Sequence, residues 1–242
     1  MCQMCRQDSI QKSGPSRRGL LGAAAATTGF LLAGTAGAKK TAPKPQNVLT
    51  PDASLRRLQK GNARYVEGVA ARHDFRHERE ALAGGQNPYA AILSCADSRI
   101  APEYAFDSGR GDLFVCRVAG NFASAEAIAS LEYAVAELGT PLIMVLGHDS
   151  CGAVDATIKS LKDGTTLPGH LPSLVAALSP AVKAVSQQGG ETLANAIRQN
   201  VIDNVAKLRS ETPILSAAVE QGKLKVVGGI YRLRSGKVEM VG

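Results

Sequence analysis

The sequence contains no tryptophan, and phenylalanine and tyrosine bring the aromatic share only to 4%. Binding a single-stranded nucleic acid relies on aromatic platforms set among clustered basic side chains. Here the 28 Lys and Arg are scattered, so the net charge of +7 is not read as a nucleic-acid partner. Cysteine is also scarce, with five in 242 residues. Cys2 and Cys5 form a C-x-x-C near the start, and no second C-x-x-C exists to complete a four-cysteine metal site. The other three, Cys95, Cys116 and Cys151, are an odd set, which makes a poor disulfide framework and leaves thiols open to another use. Long apolar runs are missing too. The longest, Gly19 to Gly34, is about 16 residues, short of the roughly 20 that span a bilayer.

That run has the layout of a processing segment. Ser16-Arg17-Arg18 precedes it, and Ala36-Gly37-Ala38 follows as an A-x-A cleavage site before Lys39. Residues 1–38 are therefore expected to be a twin-arginine export signal, placing the mature protein in the periplasm with no stable membrane anchor. The segment holds four of the Lys and Arg and one of the acidic residues, so part of the basicity is the address itself. Residues 39–50, proline-rich and polar, read as a linker. Residues 51–242 are long enough for one α/β domain.

Thr50-Pro51-Asp52 marks a helix start, and Leu55, Leu58, Tyr65, Val66 and Val69 continue it as an amphipathic N-terminal helical arm. Four short apolar runs follow at 89–95, 112–118, 141–147 and 224–230, without the strict alternation of a half-exposed strand. Helical spacing separates the later ones, around 127–138, 152–161, 172–185 and 191–208, and Asp163 to Pro172 reads as a loop. This alternation predicts an α/β fold: a mostly parallel central sheet of four strands, flanked by helices. A fifth run, Lys237 to Val241 after Ser235-Gly236, is expected to pair antiparallel at an edge.

In such a sheet, ligands sit at the carboxyl ends of the strands. Cys95 ends the first predicted strand, His148 follows the third, and Cys151 lies three residues further at a predicted helix start. Two thiolates and an imidazole suit tetrahedral zinc, with one position left open. From spacing alone, buried core cysteines are an equal alternative. Asp97 and Arg99, next to Cys95, read as a carboxylate kept ionised and aimed by a bidentate guanidinium, or as a plain ion pair at a strand end. His73 and His77, among Arg72, Arg76 and Arg79, read as a solvated helical face, and Cys116 as a small apolar residue in a strand.

The stretches "SCADSRIAPE", "GDLFVCRVAGN", "SLEYAV" and "VLGHDSCGAV" together resemble the β-class carbonic anhydrases, over nearly all of residues 50–242. The resemblance implies one zinc per chain held by Cys95, His148 and Cys151, with Asp97 and Arg99 as the catalytic dyad. It implies reversible hydration of carbon dioxide to bicarbonate and a proton, and a homodimer or higher homo-oligomer. Gln86 matches an amide that hydrogen-bonds substrate oxygen, Phe114 and Tyr133 match aromatics of the substrate pocket, part of whose wall comes from a partner subunit, and Gly152 leaves room for close approach to the site. Two departures stand out. Arg117-Val118-Ala119 replaces the more usual Arg-Asn-Ala, and Ile92 stands where bicarbonate-regulated relatives carry Trp, which favours a water-bound resting site over one closed by Asp97. Hydrolysis of carbonyl sulfide or carbon disulfide at the same zinc, and a non-catalytic zinc-stabilised module, are the competing readings.

Overall fold

A computed structural model describes residues 48–71 and 74–241. The expected export signal, most of the linker and His73 lie outside these residues. Helix α1 runs over Pro51–Val66 and begins as the sequence predicts, with the Thr50 hydroxyl accepting from the Ala53 N–H at 3.3 Å and proline at the first helical position. It stops short of Val69 because Gly68 turns to φ 73°, which ends the helix. Among the described residues no helix is long and apolar enough to cross a membrane.

The remaining elements are α2 (Phe75–Leu82), β1 (Ala90–Ser94), α3 (Pro102–Ala105), β2 (Leu113–Arg117), α4 (Ala125–Ala136), β3 (Leu142–His148), α5 (Gly152–Asp163), α6 (Leu171–Ala184), α7 (Thr192–Ser210), α8 (Ile214–Glu220), β4 (Lys225–Tyr231) and β5 (Val238–Val241). The five strands form one sheet in the order β2-β1-β3-β4-β5. All neighbours are parallel except β4 and β5, so the predicted four strands and antiparallel edge are what the chain forms. Two short helices, α3 and α8, went unread in the sequence, because a run of four or seven residues is too brief to display a 3.6-residue period.

The strand order explains the burial pattern. β1 and β3 lie inside the sheet and are fully buried, whereas β2, at an edge, is only partly covered. Helices cover both faces. One apolar core gathers Leu93, Val145, Leu131, Leu178 and Val201 under α4 to α8, and the other gathers Ile92, Met144, Phe106 and Leu58 under α1 and α3.

The helix expected as an arm is tied to its own domain. The buried Asn62 donates to the carbonyls of Ala105 (2.9 Å) and Gly236 (2.8 Å) and accepts from the Val238 N–H (2.8 Å). Gly61 allows this approach, since a Cβ there would lie 1.9 Å from the Phe106 carbonyl oxygen. β1 and β3 leave their common border in opposite directions, β1 to β2 and β3 to β4, and at such a crossover the strand ends form a crevice.

Candidate metal centre

The crevice is where the chemistry collects. Ser94, the last residue of β1, is in register with Leu146 of β3, so Cys95 emerges beside Gly147, one residue from His148. The chain then turns sharply: Ser150 adopts φ 54°, and Cys151 comes back as the N-cap of α5. Cys95, His148 and Cys151 are all buried, and their ligand atoms lie within 4.8 Å of one another.

Three observations test whether this set fits zinc. The two sulfurs are 4.0 Å apart, close to the about 3.8 Å that two Zn–S bonds of about 2.3 Å subtend at a tetrahedral angle. Nδ1 of His148 lies 2.8 Å from the Asp149 carbonyl, which only accepts, so Nδ1 carries the hydrogen and Nε2 presents a bare lone pair. That Nε2 is buried and has no hydrogen-bond partner among the described residues, an arrangement that a metal ion would satisfy.

The charges agree. The hydrogen bond from Cys151 pulls the Cys95 thiol down to about 4, against the opposing effect of burial, with His148 and the Gly120 and Asp97 N–H groups helping. Cys151 is pushed up, chiefly because its neighbour already carries the negative charge, while the N–H groups of Ala153 and Val154 at the helix start act the other way. Burial opposes a charge on His148, but the Cys95 sulfur, the Asp149 carbonyl and Asp97 outweigh it and lift its pKa. A cation is what allows both sulfurs to be thiolates beside a neutral imidazole.

Asp97 stands just outside this set. Its Oδ1 accepts from the Arg99 backbone N–H and Nε, both at 2.9 Å, and its Oδ2 from Arg99 Nη2 at 2.7 Å. These bonds hold the carboxyl well below the usual carboxylate range. Oδ2 also lies 3.8 Å from His148 Nε2, so the carboxylate borders the crevice while its direction is fixed from the solvent side. Arg99 Nη2 reaches the Ser150 carbonyl at 3.4 Å, linking the dyad to the turn between His148 and Cys151.

The residues read as substrate pocket are distributed differently. Gln86 is exposed and precedes β1, so the full strand, roughly 17 Å at about 3.3 Å per residue, separates it from Cys95 of its own chain. Phe114 lies toward the start of β2 and contacts Tyr133 of α4, with ring centroids 6.3 Å apart, and Tyr133 is half-exposed. A methyl group at Gly152 would meet no atom within 4 Å, which leaves the space beside Cys151 open. Cys116 is half-buried on the edge strand, away from the ligand set.

Other residues of the site escaped the sequence reading. Arg117 donates from Nε to the Cys95 carbonyl (3.0 Å) and from Nη2 to that of Asp97 (2.6 Å), fixing the backbone that carries both side chains. Its place at the end of a strand parallel to β1 was the available signal. Gly120 N–H donates to the Cys95 sulfur at 3.3 Å, and no spacing rule would have found it.

The carbonic anhydrase family model matches residues 90–238, more than half of the chain. The chain belongs to the β-class carbonic anhydrases. It is 39% identical over 189 residues to carbonic anhydrase 2 of Mycobacterium tuberculosis, covering 77% of this chain and 91% of that protein. It is 38% identical over 191 residues to a carbonic anhydrase of Mycolicibacterium smegmatis, covering 78% and 93%. Among solved structures it resembles a tetrameric β-carbonic anhydrase of Sordaria macrospora, with a TM-score of 0.63, 25% identity, and coverage of 69% of this chain and 87% of the other. It also resembles a Coccomyxa β-carbonic anhydrase in complex with acetazolamide, with a TM-score of 0.58, 28% identity, and coverage of 66% and 74%. As in the family, the cofactor is zinc, and Cys95, His148 and Cys151 form a group able to hold one ion.

Elemental analysis of the purified chain is expected to give one zinc per polypeptide. His148→Ala should lose it, and Cys116→Ser should keep it; equal zinc in all three proteins would overturn this assignment of the metal centre.

Proposed function

We propose that this chain catalyses the reversible hydration of carbon dioxide to bicarbonate and a proton, with zinc held by Cys95, His148 and Cys151. The observation that carries the reading is the Asp97–Arg99 pair at the rim of the buried ligand set, because metal binding alone would not need it. Zinc, when bound, polarises a water so that it yields a proton near neutral pH, a property characterised for carbonic anhydrases as a class. Asp97 Oδ2 keeps a free lone pair toward the crevice, so it accepts the hydrogen of the attacking oxygen and turns that oxygen's own lone pair toward carbon. Arg99 keeps Asp97 ionised and holds it at the rim, so the carboxylate would not itself take a place on the ion. Arg117 and the Ser150 turn keep these groups in place without taking part in the reaction.

The pocket residues find a site through assembly. Tyr89 N–H donates to the Asp112 carbonyl, and Val118 N–H to that of Ser94, so even-numbered residues along β2 turn their polar groups toward β1. The odd-numbered Leu113, Val115 and Arg117 then turn their backbone polar groups to the outer edge of the sheet. Pairing two such edges antiparallel across a two-fold axis satisfies those groups. It also sets the Gln86, Phe114 and Tyr133 end of one subunit beside the Cys95 end of its partner, which supports a homo-oligomer whose active sites are completed between subunits.

Residues 1–38 then serve as a twin-arginine signal that exports the folded, zinc-loaded protein to the periplasm. The support is Arg17-Arg18, the apolar run and the Ala36-Gly37-Ala38 site.

In stopped-flow assays the wild-type protein should hydrate carbon dioxide rapidly, and Asp97→Ala should retain zinc while losing about 10²- to 10⁴-fold in kcat/KM. Full activity in the variant would remove Asp97 from the mechanism, and zinc without hydration in the wild type would redirect the search to carbonyl sulfide. Val115→Pro removes an outward N–H and spares the ladder to β1, so it should lower the oligomer mass in analytical ultracentrifugation together with activity. An unchanged oligomer would place the interface elsewhere. Intact-mass measurement of the protein from periplasmic extracts should give a chain beginning at Lys39, whereas an uncleaved chain confined to the cytosol would contradict export.

A further inference from the structure

The segment from Val118 to Ser124, between β2 and α4, passes directly over the ligand set. Its Gly120 N–H donates to the Cys95 sulfur at 3.3 Å, the bond already noted. Holding an amide there requires an unusual backbone: Gly120 takes φ 86° and Asn121 φ 42°, two consecutive left-handed residues. A Cβ at Gly120 would also come within 2.8 Å of Leu178 on α6.

What keeps the segment in this shape comes from α7. Asn200 Nδ2 donates to the Gly120 carbonyl at 2.8 Å. Asn204 Oδ1 accepts from the Ala123 N–H at 2.7 Å, and Lys207 Nζ donates to the Ala123 carbonyl at 2.8 Å. Asn204 Nδ2 in turn donates to the Asn200 backbone oxygen (2.7 Å) and to its Oδ1 (3.0 Å). The two amides are 3% and 8% exposed, on a helix that otherwise buries Ile197, Val201 and Leu208. Burying two carboxamides costs desolvation that only complete pairing offsets, and apolar residues would fill the same space. Here one bond from each amide goes to the same short segment, the others tie Asn204 to Asn200, and the segment's contact with the ligand set is an N–H aimed at sulfur.

We propose that Asn200 and Asn204 are positioning residues for the metal centre: by fixing the Gly120 peptide they set the N–H···S bond that governs how much charge the Cys95 thiolate gives to the ion. The proposal rests on the zinc reading above. A donor on a thiolate draws charge from it, so the ligand is a weaker electron donor with the bond than without it. The oriented bond also fixes the sulfur's direction, and loss of such outer partners typically costs about 10- to 100-fold in metal affinity. Neither asparagine touches the ion or substrate, and both act through Gly120.

Cobalt(II) is the probe, loaded into the full chain in place of zinc. In Asn200→Leu and Asn204→Leu, the sulfur-to-cobalt charge-transfer band should move to longer wavelength than in the wild type, and zinc affinity measured by chelator competition should fall about tenfold or more. Leu208→Ala, a cavity in the same helix away from the segment, should lower Tm while leaving the band where it is. A band unmoved in both asparagine variants, or moved equally by Leu208→Ala, would overturn the proposal. If the asparagine variants do not fold, the unaltered protein loaded with NMR-active cadmium still decides the matter. A through-bond coupling between the metal and the Gly120 amide proton is expected, and its absence from an assigned Gly120 resonance refutes the bond on which the proposal depends. A wild-type chain that takes up no metal would instead defeat the zinc reading itself.

Discussion

Two buried sulfur atoms 4.0 Å apart next to a buried imidazole nitrogen with no hydrogen-bond partner among the described residues cannot all take their charged or bare forms unless a cation joins them. Most of the surrounding structure is consistent with that demand. The groups sit at the carboxyl ends of two paired parallel strands whose onward connections run in opposite directions, so both strand ends present their residues to one crevice. The Ser150 turn returns Cys151 to the same point, and the start of α5 faces its sulfur with N–H groups. Carbonyls at the crevice are also spoken for: that of Asp149 fixes the His148 tautomer, and those of Cys95 and Asp97 are taken by Arg117.

Negative charge at the rim is handled separately from negative charge within. Asp97 is engaged by three hydrogen bonds from Arg99, so its carboxylate is held at the border of the ligand set. Its partner guanidinium is exposed, which means that the stability gained from the pair is small and that its value lies in orientation. In the proposed hydration, aiming one lone pair is the contribution such a pair can make, since carbon dioxide has no charge to grip.

The same economy governs the sheet. β1 and β3 carry the ligands and are covered on both sides, which makes the ligand frame stiff, whereas β2 keeps an open edge. An edge of that kind is a liability in an isolated chain, and in the proposed assembly it would be paired. Gln86, Phe114 and Tyr133 lie at the far end of the strands from Cys95 within one chain, and the proposed two-fold pairing is what would bring them to a ligand set.

The sequence by itself determined the sheet, the longer helices and the candidate ligand set. Apolar runs of strand length alternating with helical spacing specify a parallel sheet, Thr50-Pro51 starts the first helix, and Cys95, Asp97, Arg99, His148 and Cys151 are legible because each lies at or just beyond the end of an element. The partner of a buried polar residue is not legible in the same way. Asn200 and Asn204 share the helical spacing of Ile197, Val201 and Leu208, so the period of α7 puts them on its inward face. It does not say what they pair with, because the segment that pairs with them is some eighty residues away in sequence. The tertiary structure alone decided that pairing, the placing of the Gly120 N–H on sulfur, and the distance of Gln86 from its own active site. The physical reason is common to all three: periodicity reports which face of an element is apolar, whereas hydrogen bonds between distant segments are fixed only when packing brings a donor and an acceptor together.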